Sequence, residues 1–419
     1  MTTQNPSVGT GRLATACLVL AAFAIGTDDL VIAGLLPQIA ADLGVGVPAA
    51  GQLITVFSLT YAVSAPPLAV LTARWPRRPL FLGGLSLFAL VNLVTALAPS
   101  YAALLALRVV AAVLAAALTP TAFAMAAQMA RPGREGSALG GVAAGLTVAL
   151  FLGVPLGTSI GTLADWRWAF VFVAALSLAV LAASAVALPS LPGSPATRVS
   201  AQLRPLARPA VLLCVLGTVG GASCGYLVYT YVAPVTRDLT GAGGLTLAAL
   251  IAVAGVAGVL GTVVCGRLTD AWGTDRSLIA TFAGLVAACA LLAVLGLFGE
   301  GSLPVWVLVA VFALWGFSAW GFAAPMSARV LALAGESGTE AVALNTGALY
   351  VGVTVAGAAG GAAVAGHGGT GAALAATGIG LAALVLMAVS VRVFPAAGGV
   401  APGSTVEVTE EKEDPHAHR

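Results

Sequence analysis

The chain has 419 residues, of which 59% are hydrophobic and 8% are charged, and its formal net charge is +2. A water-soluble surface needs about 25–35% charged residues, so this composition excludes a soluble globular protein and predicts one that crosses a membrane several times. The positive charge is too small and too dispersed to favour nucleic acid as a partner. The five cysteines have no paired spacing, so we predict neither a disulfide framework nor a metal site.

Twelve apolar stretches are long enough to span a bilayer as helices, and we number them spans 1 to 12. An even number of spans places both termini on one side of the membrane. We therefore predict an all-α membrane protein. The predicted ranges are 13–36, 48–70, 78–98, 101–126, 136–161, 167–188, 209–233, 244–265, 277–298, 303–327, 339–364 and 371–393.

The basic residues are distributed unequally between the loops. Of the 18 basic residues, Arg167 and Arg237 lie in loops away from the termini, Arg108 lies inside span 4, and the other 15 lie on the side of the termini. Because loops rich in Lys and Arg stay inside the cell, this asymmetry predicts cytoplasmic termini.

The longest connection on the side of the termini is rich in Pro and Ser and divides the spans six and six. Two six-helix bundles around a central cavity suit a protein that opens alternately to the two sides of a membrane. The predicted parts are a cytoplasmic N-terminus (1–11), an N-terminal bundle (12–188), a cytoplasmic loop (189–208), a C-terminal bundle (209–393) and a disordered cytoplasmic tail (394–419).

Span 1 contains Asp28 and Asp29 within an otherwise apolar stretch. The stretch is too long for a signal peptide and has no small-residue cleavage site after it, so we expect it to remain a membrane helix. An acid inside the bilayer is costly and is functional by default. Adjacent helix positions point about 100° apart, so the two carboxylates cannot share a face. The stripe of Asp29 carries smaller side chains than that of Asp28, which favours Asp29 as the cavity-facing acid.

Span 4 contains Arg108, the one basic residue predicted inside the membrane. At 1.5 Å per residue, Asp29 and Arg108 each lie about 10 Å from the ends of their spans that are farther from the termini, so the two residues can meet at one depth. Burial favours a protonated carboxyl and a nearby guanidinium favours an ionised one. We therefore predict that Asp29, assisted by Asp28 and modulated by Arg108, couples proton movement to transport. A static ion pair that joins spans 1 and 4 is the alternative.

Span 5 carries a row of glycines with one proline, and helix packing alone explains such a row. The span also fits the G-x-S-x-G pattern of serine hydrolases, but that motif needs a strand-to-helix turn and a histidine, and neither is available. The only lysine lies in the tail, so there is no Walker A motif. We predict no catalytic activity, no cofactor and a proton gradient as energy source. The row comprises Gly145, Gly153, Pro155, Gly157 and Gly161.

Aromatic residues cluster in spans 7 and 10 and are candidates for a substrate cavity, since apolar pockets favour them. Packing explains the tryptophans equally well, and Tyr229 and Tyr231 could belong to an interfacial belt together with Trp166 and Trp168. The predicted cavity residues are Gln52, Thr55, Tyr226, Tyr229, Trp315, Phe317, Trp320, Asn345 and Tyr350.

Over residues 12–393 the chain resembles the major facilitator superfamily, and in particular its twelve-span drug:proton antiporters. The family's loop signature, G-x-L-x-D-R-x-G-R-R, is matched after span 2 by AVLTARWPRR, which keeps the arginines and lacks the acid. A second copy follows span 8. The resemblance implies a gating role for these loops, at Arg74, Arg77, Arg78, Gly266, Asp270, Gly273 and Arg276.

Two further matches carry the resemblance. Arg108 is similar to the fourth-span arginine that the family uses in proton coupling, and Gly153-Val-Pro155-Leu-Gly157 resembles its fifth-span antiporter motif. The stretch GTDDLVIAGLLPQIAADLGV is similar to the chloramphenicol-resistance and arabinose-efflux-like exporters, in which an acid usually stands at the position of Asp29.

The resemblance implies proton-coupled efflux of a small, largely apolar drug such as chloramphenicol across a bacterial inner membrane. The expected partners are this small molecule, protons and the lipid bilayer, and we expect a monomer. A proton-coupled sugar or metabolite transporter on the same fold is the first alternative. A non-transporting membrane receptor or scaffold is the second.

Overall fold

The computed structural model describes residues 8–130, 135–193, 203–299, 301 and 303–396. Parts of the predicted N-terminus, central loop and tail lie outside these residues. The described chain is almost entirely α-helical, as predicted. Its α-helices are α1 (Val8–Leu30), α2 (Ile32–Asp42), α3 (Val47–Leu71), α4 (Arg77–Thr95), α5 (Tyr101–Met129), α6 (Glu135–Val148), α7 (Val154–Leu163), α8 (Trp166–Ala187), α9 (Pro209–Thr230), α10 (Val232–Thr240), α11 (Leu245–Trp272), α12 (Thr274–Phe298), α13 (Val305–Gly321), α14 (Ala323–Ala334) and α15 (Gly338–Val393).

Eleven helical segments of the described chain are long and apolar enough to cross a membrane. The last one, α15, has 56 residues and would measure roughly 84 Å as a straight helix, far more than the hydrocarbon core of a bilayer. Its backbone is non-helical at His367 and Gly368, which divides it into spans 11 and 12. The described residues therefore form twelve crossing segments, as the apolar stretches predict.

Four spans consist of more than one helix. Span 1 is α1 plus α2, interrupted at Val31, and span 7 is α9 plus α10, interrupted at Tyr231. Span 10 is α13 plus α14, interrupted at Phe322. Span 5 is α6, a π-helical turn and α7. Pro155 follows that turn and has no N–H to donate to the preceding helical turn, which explains the irregular geometry there.

The two halves of the molecule meet at the end of the bundle away from the chain termini, which we call the distal end; the opposite end is the terminal end. Tyr231 packs against Gly51 of span 2 and against Gly360 of span 11. Its hydroxyl donates a hydrogen bond to the carbonyl oxygen of Gly357 at 2.8 Å. Gln52 of span 2 donates to the same carbonyl oxygen at 3.3 Å. These contacts close the distal end.

Toward the terminal end the protein is more open. The buried residues of span 2 lie between Ala50 and Tyr61. From Ala62 to Leu71 every residue of this span is half-exposed or exposed. Because span 2 lines the interface between the halves, this gradient indicates a conformation that is closed at the distal end and open at the terminal end.

Trp166 is not a belt residue. Arg167 and Trp166 donate hydrogen bonds to the Asp42 carboxylate at 2.7 and 3.2 Å. Trp166 is packed in the hydrophobic core and is only 2% exposed, whereas Trp168 is 56% exposed. Tyr229 and Tyr231, at 3% and 0%, are also packed inside the protein, so the belt interpretation is wrong for both.

The distal closure can be tested at one glycine. Gly357 lies so close to Thr55 that any side chain there would overlap it, whereas Gly347 on the same helix has nothing within 4 Å of its missing side chain. Overpacking costs about 1–3 kcal/mol, so Gly357→Leu should shift the protein toward distal opening, and Gly347→Leu should not.

The measurement is the rate at which Gln52→Cys reacts with an impermeant maleimide added from the distal side. The five native cysteines are buried and give a low background. We expect a roughly tenfold faster reaction in Gly357→Leu. Equal rates in the two glycine variants would contradict the closure.

Candidate functional site

A buried ion pair joins span 1 to span 4. Arg108 donates two hydrogen bonds to the carboxylate of Asp28, from Nη1 to Oδ1 at 2.8 Å and from Nη2 to Oδ2 at 2.7 Å. A third bond runs from Nη2 to the main-chain oxygen of Asp28 at 3.3 Å. Both side chains are fully shielded from solvent. This paired, bidentate arrangement fixes the relative position of the two spans and matches the static pair that the sequence left open.

Aromatic rings complete the surroundings of the guanidinium. The Arg108 Cζ atom lies 4.6 Å from the centre of the Phe57 ring and 5.7 Å from that of Phe170. Ring faces attract a cation, but they do not neutralise its charge. Asp28 therefore supplies the balancing charge for Arg108, and removing it would leave a buried cation uncompensated.

Asp29, the next residue, is in a different position. Its side chain is half-buried, and within the described part of the chain it forms neither a hydrogen bond nor an ion pair. Its charge lies within electrostatic range of four tyrosines from spans 2, 7 and 11. Asp29 therefore sits between the two halves, whereas Asp28 is enclosed in the N-terminal half. The four tyrosines are Tyr61, Tyr226, Tyr229 and Tyr350.

The tyrosines of span 7 continue into an aromatic wall with the tryptophans of span 10. The ring of Tyr229 stacks on Trp315, with 6.2 Å between centres and 19° between planes. Trp320 packs edge-on against Trp315 at 5.4 Å and lies 6.0 Å from Tyr226. The structure thus brings four of the predicted cavity residues together in the C-terminal half, close to Asp29.

Tyr61 is a member of this site that the sequence analysis missed. Its ring stacks on that of Tyr350 with 3.8 Å between centres, so spans 2 and 11 meet at this contact. The chain has six tyrosines, and four of them lie within electrostatic range of Asp29. The position of Tyr61 inside the apolar span 2 was the feature of the sequence that could have identified it as a cavity residue.

The other predicted cavity residues are engaged in contacts between helices. Gln52 binds Gly357, as described above, and the same glycine packs against Thr55. Asn345 accepts a hydrogen bond from Thr218 at 2.5 Å. The backbone of Phe317 lies against Gly261. A role for these residues in binding substrate stays a prediction.

The glycine row of span 5 faces span 1 along its length. Each glycine lies where a side chain would overlap span 1, so the two helices are in close contact, as the packing interpretation expects. Thr27, which faces Gly153, directly precedes Asp28 in the chain, so this contact also positions the acids. The contacting pairs are Gly145 with Val19, Gly153 with Thr27, Gly157 with Val31, and Gly161 with Leu35.

The loop after span 2 is held by the end of span 6 and the start of the central loop. The N–H of Arg77 donates to the carbonyl oxygen of Leu191 at 2.9 Å, and the Arg78 guanidinium donates to the carbonyl oxygen of Ala185 at 2.6 Å. Arg74 is exposed. None of these arginines forms an ion pair with a residue that the structure describes. Their gating role stays a prediction.

The loop after span 8 turns at Gly273, whose φ of 85° suits glycine alone. Asp270 and Arg276 are exposed, and neither forms an ion pair within the described ranges. Gly266 lies 4.0 Å from Ala324 of span 10, measured from where its side chain would begin. The gating role of this second copy is likewise still a prediction.

One expectation about intramembrane charge is wrong, because Arg108 is not the only buried cation in a span. Arg329 lies in α14, fully buried, and pairs with Asp275 of span 9. It also donates to the carbonyl oxygens of Ser390 and Phe394 at 3.0 and 2.7 Å. The reason is that span 10 continues beyond its predicted end at residue 327, so a residue assigned to a loop lies inside the bundle.

Twelve apolar spans with charged residues buried between them are typical of polytopic transporters. A family profile described as Major Facilitator Superfamily matches residues 18–339. The chain belongs to this superfamily and is a multi-pass membrane transporter rather than an enzyme.

Individual proteins agree with this assignment. The chain is 34% identical to a chloramphenicol resistance protein of Streptomyces lividans, over 84% of this chain and 88% of that protein. It is 30% identical to the inner membrane transport protein YdhP of Escherichia coli strain K12, over 83% of this chain and 87% of that protein. A bacterial homologue of the human lysosomal transporter Spinster, in an inward-facing and unoccupied conformation, has the same fold, with a TM-score of 0.68, 17% identity and coverage of 92% and 96% of the two chains.

The two adjacent acids should differ in their effect on stability. Asp28→Asn leaves Arg108 buried without a carboxylate, and breaking a buried pair in this way costs about 3–5 kcal/mol. Asp29→Asn, the matched control, leaves the pair intact. The midpoint of thermal unfolding in detergent should fall clearly for Asp28→Asn and stay near the parental value for Asp29→Asn. Equal midpoints would contradict the structural role of the Asp28–Arg108 pair.

Proposed function

We propose that the chain exports small, largely apolar drugs such as chloramphenicol in exchange for protons. The observation that supports this most directly is the position of Asp29. It is a carboxyl without an ion-pair partner among the described residues, half-buried between the two halves and next to a fixed ion pair.

The two acids have different roles. Asp28 accepts two charge-assisted bonds, and protonating it would strand Arg108. Asp29 has no such bond to lose, so it can take up and release a proton without disrupting the fold. Its protonation state then depends on whether water or an apolar molecule surrounds it.

Drug and proton compete for this position. An apolar molecule that packs against Tyr226 and Trp320, the partly exposed rings, excludes water from Asp29 and changes which form of the carboxyl is favoured. Coupling requires that drug and proton bind the two conformations with different affinities. In an exporter of this kind the drug enters from the cytoplasmic side and the proton enters from the opposite side. The distribution of basic residues supports cytoplasmic termini, so the drug would enter at the terminal end and the proton at the distal end.

The surroundings of Asp29 favour an apolar cargo over a sugar. Sugar binding needs several polar groups that are free to exchange hydrogen bonds with hydroxyls. In the described chain, the walls near Asp29 are aromatic rings whose unpartnered polar atoms include the Tyr229 hydroxyl and the Trp315 N–H, while the predicted polar residues Gln52 and Asn345 are engaged in helix contacts. The Streptomyces relative is named for resistance to chloramphenicol, which is a small molecule of this kind. Chloramphenicol is therefore the first molecule to test.

The test uses purified protein in proteoliposomes with an imposed pH gradient and labelled chloramphenicol. The parent should accumulate the drug only when the gradient drives it. Asp29→Asn should lose this accumulation because it cannot carry a proton, yet retain exchange of drug at equal pH. Asp29→Glu, which keeps a titratable carboxyl, should retain part of the coupling.

Accumulation by Asp29→Asn that still follows the gradient would contradict the proposed role of this residue. A parent that moves sugars and not the drug would favour the metabolite transporter instead. Absence of any flux would favour the receptor or scaffold.

A further inference from the structure

A cavity of about 250 Å³ lies at the distal end, and Asp29 is not among the residues that line it. Because both halves form its walls, the cavity exists as a whole only while the distal end is closed. Pro37, Gln38 and Thr162 contribute from the N-terminal half, and Ala233, Arg237 and Leu247 contribute from the C-terminal half.

Among the residues that the structure describes, Arg237 forms only a loose ion pair. Its side chain is 66% exposed, and the nearest carboxylate, that of Asp238, lies 4.0 Å from its Nε atom. That carboxylate already accepts a hydrogen bond from the N–H of Gly369 at 2.6 Å. The guanidinium therefore has donors available for an anionic group inside the cavity.

The opposite wall carries an unsatisfied polar atom. Gln38 donates from Nε2 to Thr162 Oγ1 at 3.3 Å, while its Oε1 is buried without a partner. Buried polar atoms are normally paired, so this oxygen is a polar position that the closed conformation leaves unsatisfied. Pro37, Ala233 and Leu247 line the space between with apolar surface.

We propose that this distal cavity binds a compact aromatic anion, such as an aryl sulfonate or carboxylate, and that binding holds the two halves together. A cavity of about 150 Å³ accommodates benzene, so one ring with a charged group fits the larger volume here. The anion would face Arg237 and the ring would lie against the apolar wall. A ligand that binds only the closed state shifts the protein toward that state and slows its cycle.

Benzenesulfonate is the probe, because its permanent charge prevents it from crossing the membrane or carrying protons. Its binding to the purified protein is measured as a rise in the midpoint of thermal unfolding. Arg237→Gln should require at least about tenfold more probe for the same rise, since a hydrogen bond to a charged group contributes about 1.5–3 kcal/mol. Arg267→Gln, which removes an exposed charge at the terminal end, should behave as the parent.

Neutral benzenesulfonamide should bind more weakly than benzenesulfonate by a similar factor. Equal affinities of the parent and Arg237→Gln would overturn the site. The Gly357→Leu variant should lose binding, and full retention would overturn the link to distal closure. These readouts do not depend on the cargo or on protons, so they separate failure of this proposal from failure of the proposed function.

A transport measurement completes the test. Benzenesulfonate on the distal side should slow drug exchange by the parent and leave Arg237→Gln unaffected. Inhibition that is equal in both proteins, or that occurs only from the terminal side, would contradict the location of the site.

Discussion

Arg108 holds the carboxylate of Asp28 through two hydrogen bonds in the interior of the N-terminal half, and this pair fixes the rotation of span 1. Once Asp28 points at span 4, Asp29 must point about 100° away, toward the space between the halves. The glycines of span 5 press span 1 into this position from the other side, next to Thr27. One buried interaction thus determines which carboxyl remains available for chemistry.

The same arrangement separates stability from function. A fully buried pair stabilises only if both partners stay, so it is a poor site for a proton that must come and go. A half-buried carboxyl without such partners tolerates both protonation states. The tyrosines around Asp29 come from both halves, so any relative movement of the halves changes what surrounds this carboxyl. Movement and protonation are linked through these contacts.

Much of this could be predicted from the sequence because apolar length and charge placement determine a membrane fold strongly. The twelve spans, including the division of the 56-residue helix, follow from the thickness of the bilayer. The small side chains on the stripe of Asp29 indicated the more open face. Depth arithmetic could not show which acid binds Arg108, since neighbouring residues differ by only about 1.5 Å.

Other features depended on tertiary contacts that a single sequence does not display. The burial of Arg329 requires Asp275 and the end of span 12 to lie beside it, although all three are far apart in the chain. Trp166 stands at the end of a span, where belt residues are common, but it binds Asp42 from another span and is buried. The partners of Tyr231 come from spans 2 and 11. Neither the composition of a single sequence nor the spacing of its residues shows which residues of different spans are in contact.

The central claim is that Asp29 exchanges a proton while Asp28 stays paired with Arg108. Infrared difference spectroscopy measures this directly, because a carboxyl has a C=O stretch above the amide bands when it is protonated and loses that band when it is ionised. Adding chloramphenicol to the parent should change one such band, which Asp29→Asn should abolish. A band that persists in Asp29→Asn, or that belongs to Asp28, would contradict the account.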